Sequence, residues 1–266
     1  MGGSLGGRTV LVTRPRAQAP ALVDLLEGRG ARVILAPAIR LAPAPAPQLD
    51  AALDRVAAGE FEWLVLTSRA GAAALLDRLD ARRTRSPGAK IAVVGDGTAS
   101  VVREHGIKPA LVPRTFTTEA LGREMPRGNG RVLLARADIA PEGLEEALGR
   151  KGWSVERVDA YRTRSAGAVP LAARRALAAG TVDALTFTSA STVRGFVRLA
   201  GGMFRHPTMA AAGRTPKVVC IGPVTAAEAR AQGLRVHAVA DPHTIEGLVA
   251  AVERALAGRA RTRRRT

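Results

Sequence analysis

Aromatic residues make up only 3% of the 266-residue chain, and tyrosine occurs once, as Tyr161. So few rings supply no series of stacking platforms for single strands, and no basic stretch is interleaved with aromatics, so a nucleic-acid partner is not expected. Cysteine also occurs once. That excludes a disulfide framework, and Cys220, inside the apolar run KVVCIG, reads as a small buried hydrophobe. No apolar run reaches membrane-spanning length. The first residues, MGGSLGGRTVLVTRP, lack the charged and apolar blocks of a signal peptide, so a cytoplasmic protein without a membrane partner is expected. The chain has no phosphate-loop Gly-Lys-Ser/Thr, no nucleophile elbow and no His-Glu-x-x-His. VGDGTAS only partly matches a dinucleotide fingerprint, because it ends in Ser100 and no acidic residue follows at a second strand end. His105, His206, His237 and His243 show no metal-like spacing. Neither a metal nor an organic cofactor is expected.

What the chain does have is apolar residues, 47% of the total, and positive charge: 40 Lys and Arg against 23 Asp and Glu, a formal +17. Such a balance concentrates anions around the molecule, and a small polyanionic substrate suits it. Five arginines lie in the C-terminal GRARTRRRT, where residues 259–266 read as a disordered, solvated tail.

The sequence is also written twice. Residues 90–125 align without a gap on residues 217–252, with 10 of the 36 positions identical, among them Gly95 with Gly222 and Thr98 with Thr225. Further upstream Ser68 falls on Ser189 and Arg14 on Arg136. Each half is a series of short apolar strand, polar turn, Ala/Leu/Arg helix and glycine. Strands continuously apolar, such as Trp63 to Leu66 or Ala184 to Phe187, are buried on both faces, as in a parallel sheet covered by helices. Two doubly wound α/β domains are expected. Between them LAPAPAPQ, residues 41–48, reads as an extended connector, because alternate prolines remove backbone donors from helix or central strand.

In open parallel sheets ligands bind beyond the carboxyl ends of the strands. Here those positions carry Arg14, Ser68, Gly95, Thr98, Arg136, Ser189, Gly222 and Thr225, so they are candidate anion-binding residues at helix N-termini. Helix capping is the competing reading for each hydroxyl, and surface ion pairing for Arg14 and Arg136. Thr117 and Thr244, each with a glutamate two residues on, look more like caps than ligands. Tyr161 opens a connector in the second half, where the first half has Ile39, so the local fold does not itself demand a hydroxyl there.

The motifs VLVTRP, LVLTSRAGA, VVGDGTA, VDAYRT, LTFTSAS and CIGPVTA, in this order and spacing, resemble the uroporphyrinogen-III synthase family from about Thr9 to Leu256. The resemblance implies two flavodoxin-like parallel-sheet domains, residues 1–36 plus 166–258 and residues 45–157, joined by linker strands 37–44 and 158–165. It implies a cyclising hydro-lyase acting alone, as a monomer, on hydroxymethylbilane, a linear tetrapyrrole with eight carboxylates. Loss of the terminal hydroxyl as water and inversion of the last pyrrole ring through a spiro intermediate give uroporphyrinogen III, a step of haem biosynthesis, without metal or cofactor. Tyr161 matches the family's Y-x-T tyrosine and is the expected weak acid; the post-strand residues named above are the expected substrate ligands. Asp96 and Gly71 depart from the pattern, and Asp96 places a carboxylate beside an expected carboxylate site.

Two other functions compete at this level. A non-catalytic tetrapyrrole or anion sensor linked to transcriptional regulation would share the duplication, although no helix-turn-helix follows Leu256. A two-domain solute-binding protein would share it too, but the start lacks an export signal.

Overall fold

A computed structural model describes residues 3–82, 88–204 and 215–257. The arginine-rich tail lies outside them. The chain divides into two compact units, Met1–Arg40 with Arg164–Thr266, and Leu41–Thr163.

The first unit holds strands β1 (Thr9–Val12), β2 (Arg32–Leu35), β8 (Ala184–Phe187), β9 (Lys217–Cys220) and β10 (Val236–Val239) in the order β10-β9-β8-β1-β2. All four pairings are parallel. Side chains alternate across the sheet, and both faces are apolar. Leu11, Leu185, Val218 and Cys220 pack with helices α7 (Leu171–Ala178), α8 (Ala190–Phe204) and α9 (Pro223–Ala231). Their neighbours Val10, Val12, Ala184 and Val219 pack on the opposite face, with α1 (Pro20–Gly28) and α10 (Ile245–Ala257). A strand buried on both faces has no polar phase, which is why these segments read as unbroken apolar runs.

The second unit repeats the plan. Strands β3 (Ile39–Pro43), β4 (Trp63–Leu66), β5 (Lys90–Val93), β6 (Arg131–Ala137) and β7 (Ser154–Ser165) are ordered β3-β7-β6-β4-β5, with β5, β4, β6 and β7 paired in parallel. Leu64, Leu66, Leu133, Val158 and Ala160 face α2 (Ala46–Ala57), α3 (Arg69–Ala81) and α4 (Asp96–Glu104). Trp63, Val65, Leu134 and Val155 face α5 (Thr118–Glu124) and α6 (Gly143–Gly149).

The proline run behaves differently from a plain connector. Residues 41–43 finish the edge strand β3, but α2 already begins at Ala46. Pro45 is its cap residue and Pro47 lies in its first turn, where backbone N–H groups have no intrahelical acceptor and a missing donor is harmless. The expected turn glycines do their work at helix ends: Gly30, Gly106, Gly152 and Gly233 all have positive φ.

Candidate active site

Because the pairings are parallel, the candidate residues gather at carboxyl edges. In the second unit Ser68, Gly95 and Arg136 follow or end β4, β5 and β6, and Tyr161 lies in the last part of β7. In the first unit Arg14, Ser189 and Gly222 follow β1, β8 and β9, which are also neighbours.

The hydroxyls separate into two kinds. Ser68 is the N-cap of α3, its Oγ accepting from the Gly71 N–H at 3.0 Å. Ser189 accepts from the Thr192 N–H at 3.2 Å, while Thr192 Oγ1 accepts from the Ser189 N–H at 3.2 Å. Thr117 and Thr244 cap as well, accepting from Ala120 N–H and Gly247 N–H at 3.1 Å each. Thr98 and Thr225 are not caps. Each is the third residue of its helix, 4% exposed, and in both helices the cap position is a glycine that offers no side-chain oxygen. The first turns of α4 and α9 therefore keep N–H groups and a positive dipole end for an external anion.

The two glycines are covered by rings at matching places in the duplication. A Cβ on Gly95 would lie 2.9 Å from the Phe116 ring, and one on Gly222 would lie 3.6 Å from the His243 ring. Phe116 stays 47% exposed. His243 Nδ1 bonds the Ala240 carbonyl at 2.7 Å, so that nitrogen carries the hydrogen and Nε2 is left to face other partners. Beside α4 the stem of Arg69 crosses Gly97, 3.3 Å from where a Cβ would stand, bringing an exposed cation to that N-terminus. Arg69, the first residue of α3 next to Ser68, is a site residue that the sequence pattern does not single out, because only the packing of α3 on α4 brings it to Gly97. Asp96 is exposed in the first turn of α4, where it complements the helix dipole.

Tyr161 stands against the core beside Ala160, with the Ser68 hydroxyl near its phenol. Burial pushes the phenol above the ordinary tyrosine range; the nearby Ser68 hydroxyl opposes this, the Asp138 carboxylate adds to it, and Arg136 opposes it. The phenol is thus held as a neutral acid. It opens on a groove of ≈340 Å³ lined on one side by Leu41 to Ala44 and on the other by Ala70, Ala74, Asp77 and Arg78.

Arg136 is 3% exposed, with one guanidinium nitrogen on Glu145 at 2.9 Å and on the Pro141 carbonyl at 2.6 Å. Burial lowers its pKa and Glu145 works against that. Arg136 therefore builds the turn after β6, and its charge favours the Tyr161 phenolate. Arg14 is half-buried after β1. Gly71, the other departure, is crowded: a Cβ there would lie 3.1 Å from Ser68 Oγ and 3.6 Å from the Ala160 Cβ, so the smallest residue suits it. Cys220 is buried as expected. Among the described residues no cluster of His, Cys, Asp and Glu could hold a metal ion, and no helix is long and apolar enough to cross a membrane.

Residues 20–250 match the family model described as uroporphyrinogen-III synthase HemD. The uroporphyrinogen-III synthase of Synechococcus elongatus is 31% identical over 253 residues, which cover 93% of this chain and 95% of that protein. The porphyrin biosynthesis protein HemD of Ruminiclostridium josui is 31% identical over 92% of this chain and 48% of its own length. Among solved structures, a mutant uroporphyrinogen III synthase from Thermus thermophilus superposes with a TM-score of 0.70 over 95% of this chain and all of that one, at 24% identity.

Proposed function

The chain belongs to the uroporphyrinogen-III synthase family, and from that premise we propose that it converts hydroxymethylbilane into uroporphyrinogen III as a cyclising hydro-lyase. The match across almost the whole chain carries this reading. The site supports it, because the reaction asks mainly for many anion-binding donors and one weak acid.

Tyr161 is the proton donor in this scheme. Its phenolic hydrogen passes to the terminal hydroxyl, the C–O bond breaks, and water leaves an electrophilic azafulvene. The last ring attacks through its substituted carbon and forms the spiro intermediate; the bond from that carbon to its original methylene bridge then breaks, the bridge recloses on the ring's unsubstituted carbon, and the proton lost there as the ring regains aromaticity restores the balance. The uncatalysed closure gives the other isomer, so the protein's main task is to hold the chain in one geometry. Gly95 with Thr98, and Gly222 with Thr225, offer the uncapped helix ends to substrate carboxylates. Ser68, Ser189, Arg14 and Arg136 complete the set, Ser68 and Arg136 acting in part through Tyr161.

Two flavodoxin-like domains, 1–36 plus 166–258 and 45–157, with linkers 37–44 and 158–165, make up the proposed architecture. The strand order of the first unit supports it: renumbered within that unit it is 2-1-3-4-5.

The test is to supply fresh hydroxymethylbilane without added metal or cofactor and separate the isomers. Predominantly type III product is expected. Type I product alone from folded protein would overturn the enzyme and favour the sensor.

A further inference from the structure

The register of β6 on β7 runs evenly from Arg131 opposite Ser154 to Arg136 opposite Asp159, then jumps to Ala137 opposite Tyr161. Ala160 is one residue too many. Before the jump β7 alternates: Glu156 pairs with Arg55 of α2 and Val158 packs towards α2 and α3, while Val155 and Arg157 face α6. Even alternation would send Tyr161 to the α6 side with Arg157. Instead Ala160 and Tyr161 both pack on the α3 side and line one groove. An inserted residue in a strand shifts every later side chain to the other face, and here it delivers the phenol to Ser68.

Asp138, in the turn after β6, ties down this irregularity from both sides. Its N–H donates to the Tyr161 carbonyl at 3.2 Å, and its carboxylate accepts from the Thr163 N–H at 2.8 Å. The turn is itself fixed: Arg157 donates to the carbonyls of Ala137, Asp138 and Ala140, each at 3.1 Å, and Arg136 to that of Pro141. Ser68 Oγ accepts from the Gly71 N–H at 3.0 Å and keeps its own hydrogen to donate.

We infer that Asp138 is a positioning residue for Tyr161, holding the one-residue strand insertion at Ala160 that turns the phenol towards Ser68 and the groove. This rests on Tyr161 being the acid of the proposed reaction. The carboxylate has a second effect: as the anion beside the phenol it disfavours phenolate and keeps the acid charged with its proton. Among the described residues the other charges near the phenol are Arg136 on β6 and, along the groove, Asp77 and Arg78 on α3; Arg78 is paired with Asp50 of α2 at 3.0 Å and Asp77 lies 3.3 Å from His105.

Because the chain has one tyrosine, phenolate absorbance reports Tyr161 alone, with Tyr161→Phe as the blank. Asp138→Asn keeps an oxygen for the Thr163 N–H and removes the charge. Its phenol midpoint, and the alkaline limb of its kcat profile, should both move to lower pH, with kcat falling severalfold and KM holding. Asp138→Ala also loses the tie, and kcat should drop by about 10-fold or more while the phenol titrates like that of a free tyrosine. Circular dichroism and Tm follow folding in each variant. Wild-type phenol titration in folded Asp138→Ala would overturn the inference, as would losses of kcat that merely track Tm. If the wild type makes no type III product, the proposed reaction fails, but the absorbance titration still decides whether Asp138 controls the phenol.

Discussion

In the proposed reaction Tyr161 acts through a single atom. Tyr161→Phe keeps the ring in its place against Ala160 and removes only the hydroxyl, so Tm should barely move while kcat falls about 10- to 100-fold. Some type III product should persist, since the proposed carboxylate-binding groups would still fold the substrate. A mutant with wild-type kcat would remove the phenol from the mechanism. Cys220 is the control for burial without function. Its thiol is pushed from 9.0 up to about 11 by burial. The folded-state value is the higher one, so the associated stability is fully present below pH 9 and is lost as the pH rises through about 11. Below that range a thiol reagent should label Cys220 only after denaturation; rapid labelling of native protein would contradict the buried environment.

Helices and strands divide the hydroxyls into those that serve the fold and those left for a ligand. Thr117→Ala should lower stability by about 1 kcal/mol and leave kcat/KM intact, because that oxygen caps α5. Thr225→Ala should do the reverse, weakening productive binding by about 1 to 3 kcal/mol with little change in Tm. Unchanged kcat/KM in that mutant would end its role as a ligand. The sequence made much of this readable. Apolar runs such as WLVL and ALTF are legible because both faces of the sheet are covered, and the duplication aligns Gly95 with Gly222. It could not separate Ser68 from Thr98, since both follow strands and only the cap geometry distinguishes them. Residue order also hides the insertion at Ala160, which shows only when β7 is laid against β6, and with it the part played by Asp138. The start of α2 is hidden in the sequence because prolines forbidden in a helix interior are tolerated in its first turn.

At the scale of the whole chain, +17 should act on an eight-carboxylate substrate as a long-range attraction that salt weakens. KM for hydroxymethylbilane should rise severalfold between low and high ionic strength while kcat stays level. A KM indifferent to salt would restrict recognition to the short-range donors.

The interleaved division of the chain also bears on its synthesis. Residues 41–163 are continuous, so their sheet is complete on paper once β7 has been made. The first unit is not: β1 is flanked by β2 and β8, and Val10 has no partner on its second side until Ala184 has been translated. On the ribosome β1 and β2, made well before β8, are therefore the ones that wait, with an apolar strand edge open to any other nascent chain. The sheet begun before residues 41–163 is closed only after them.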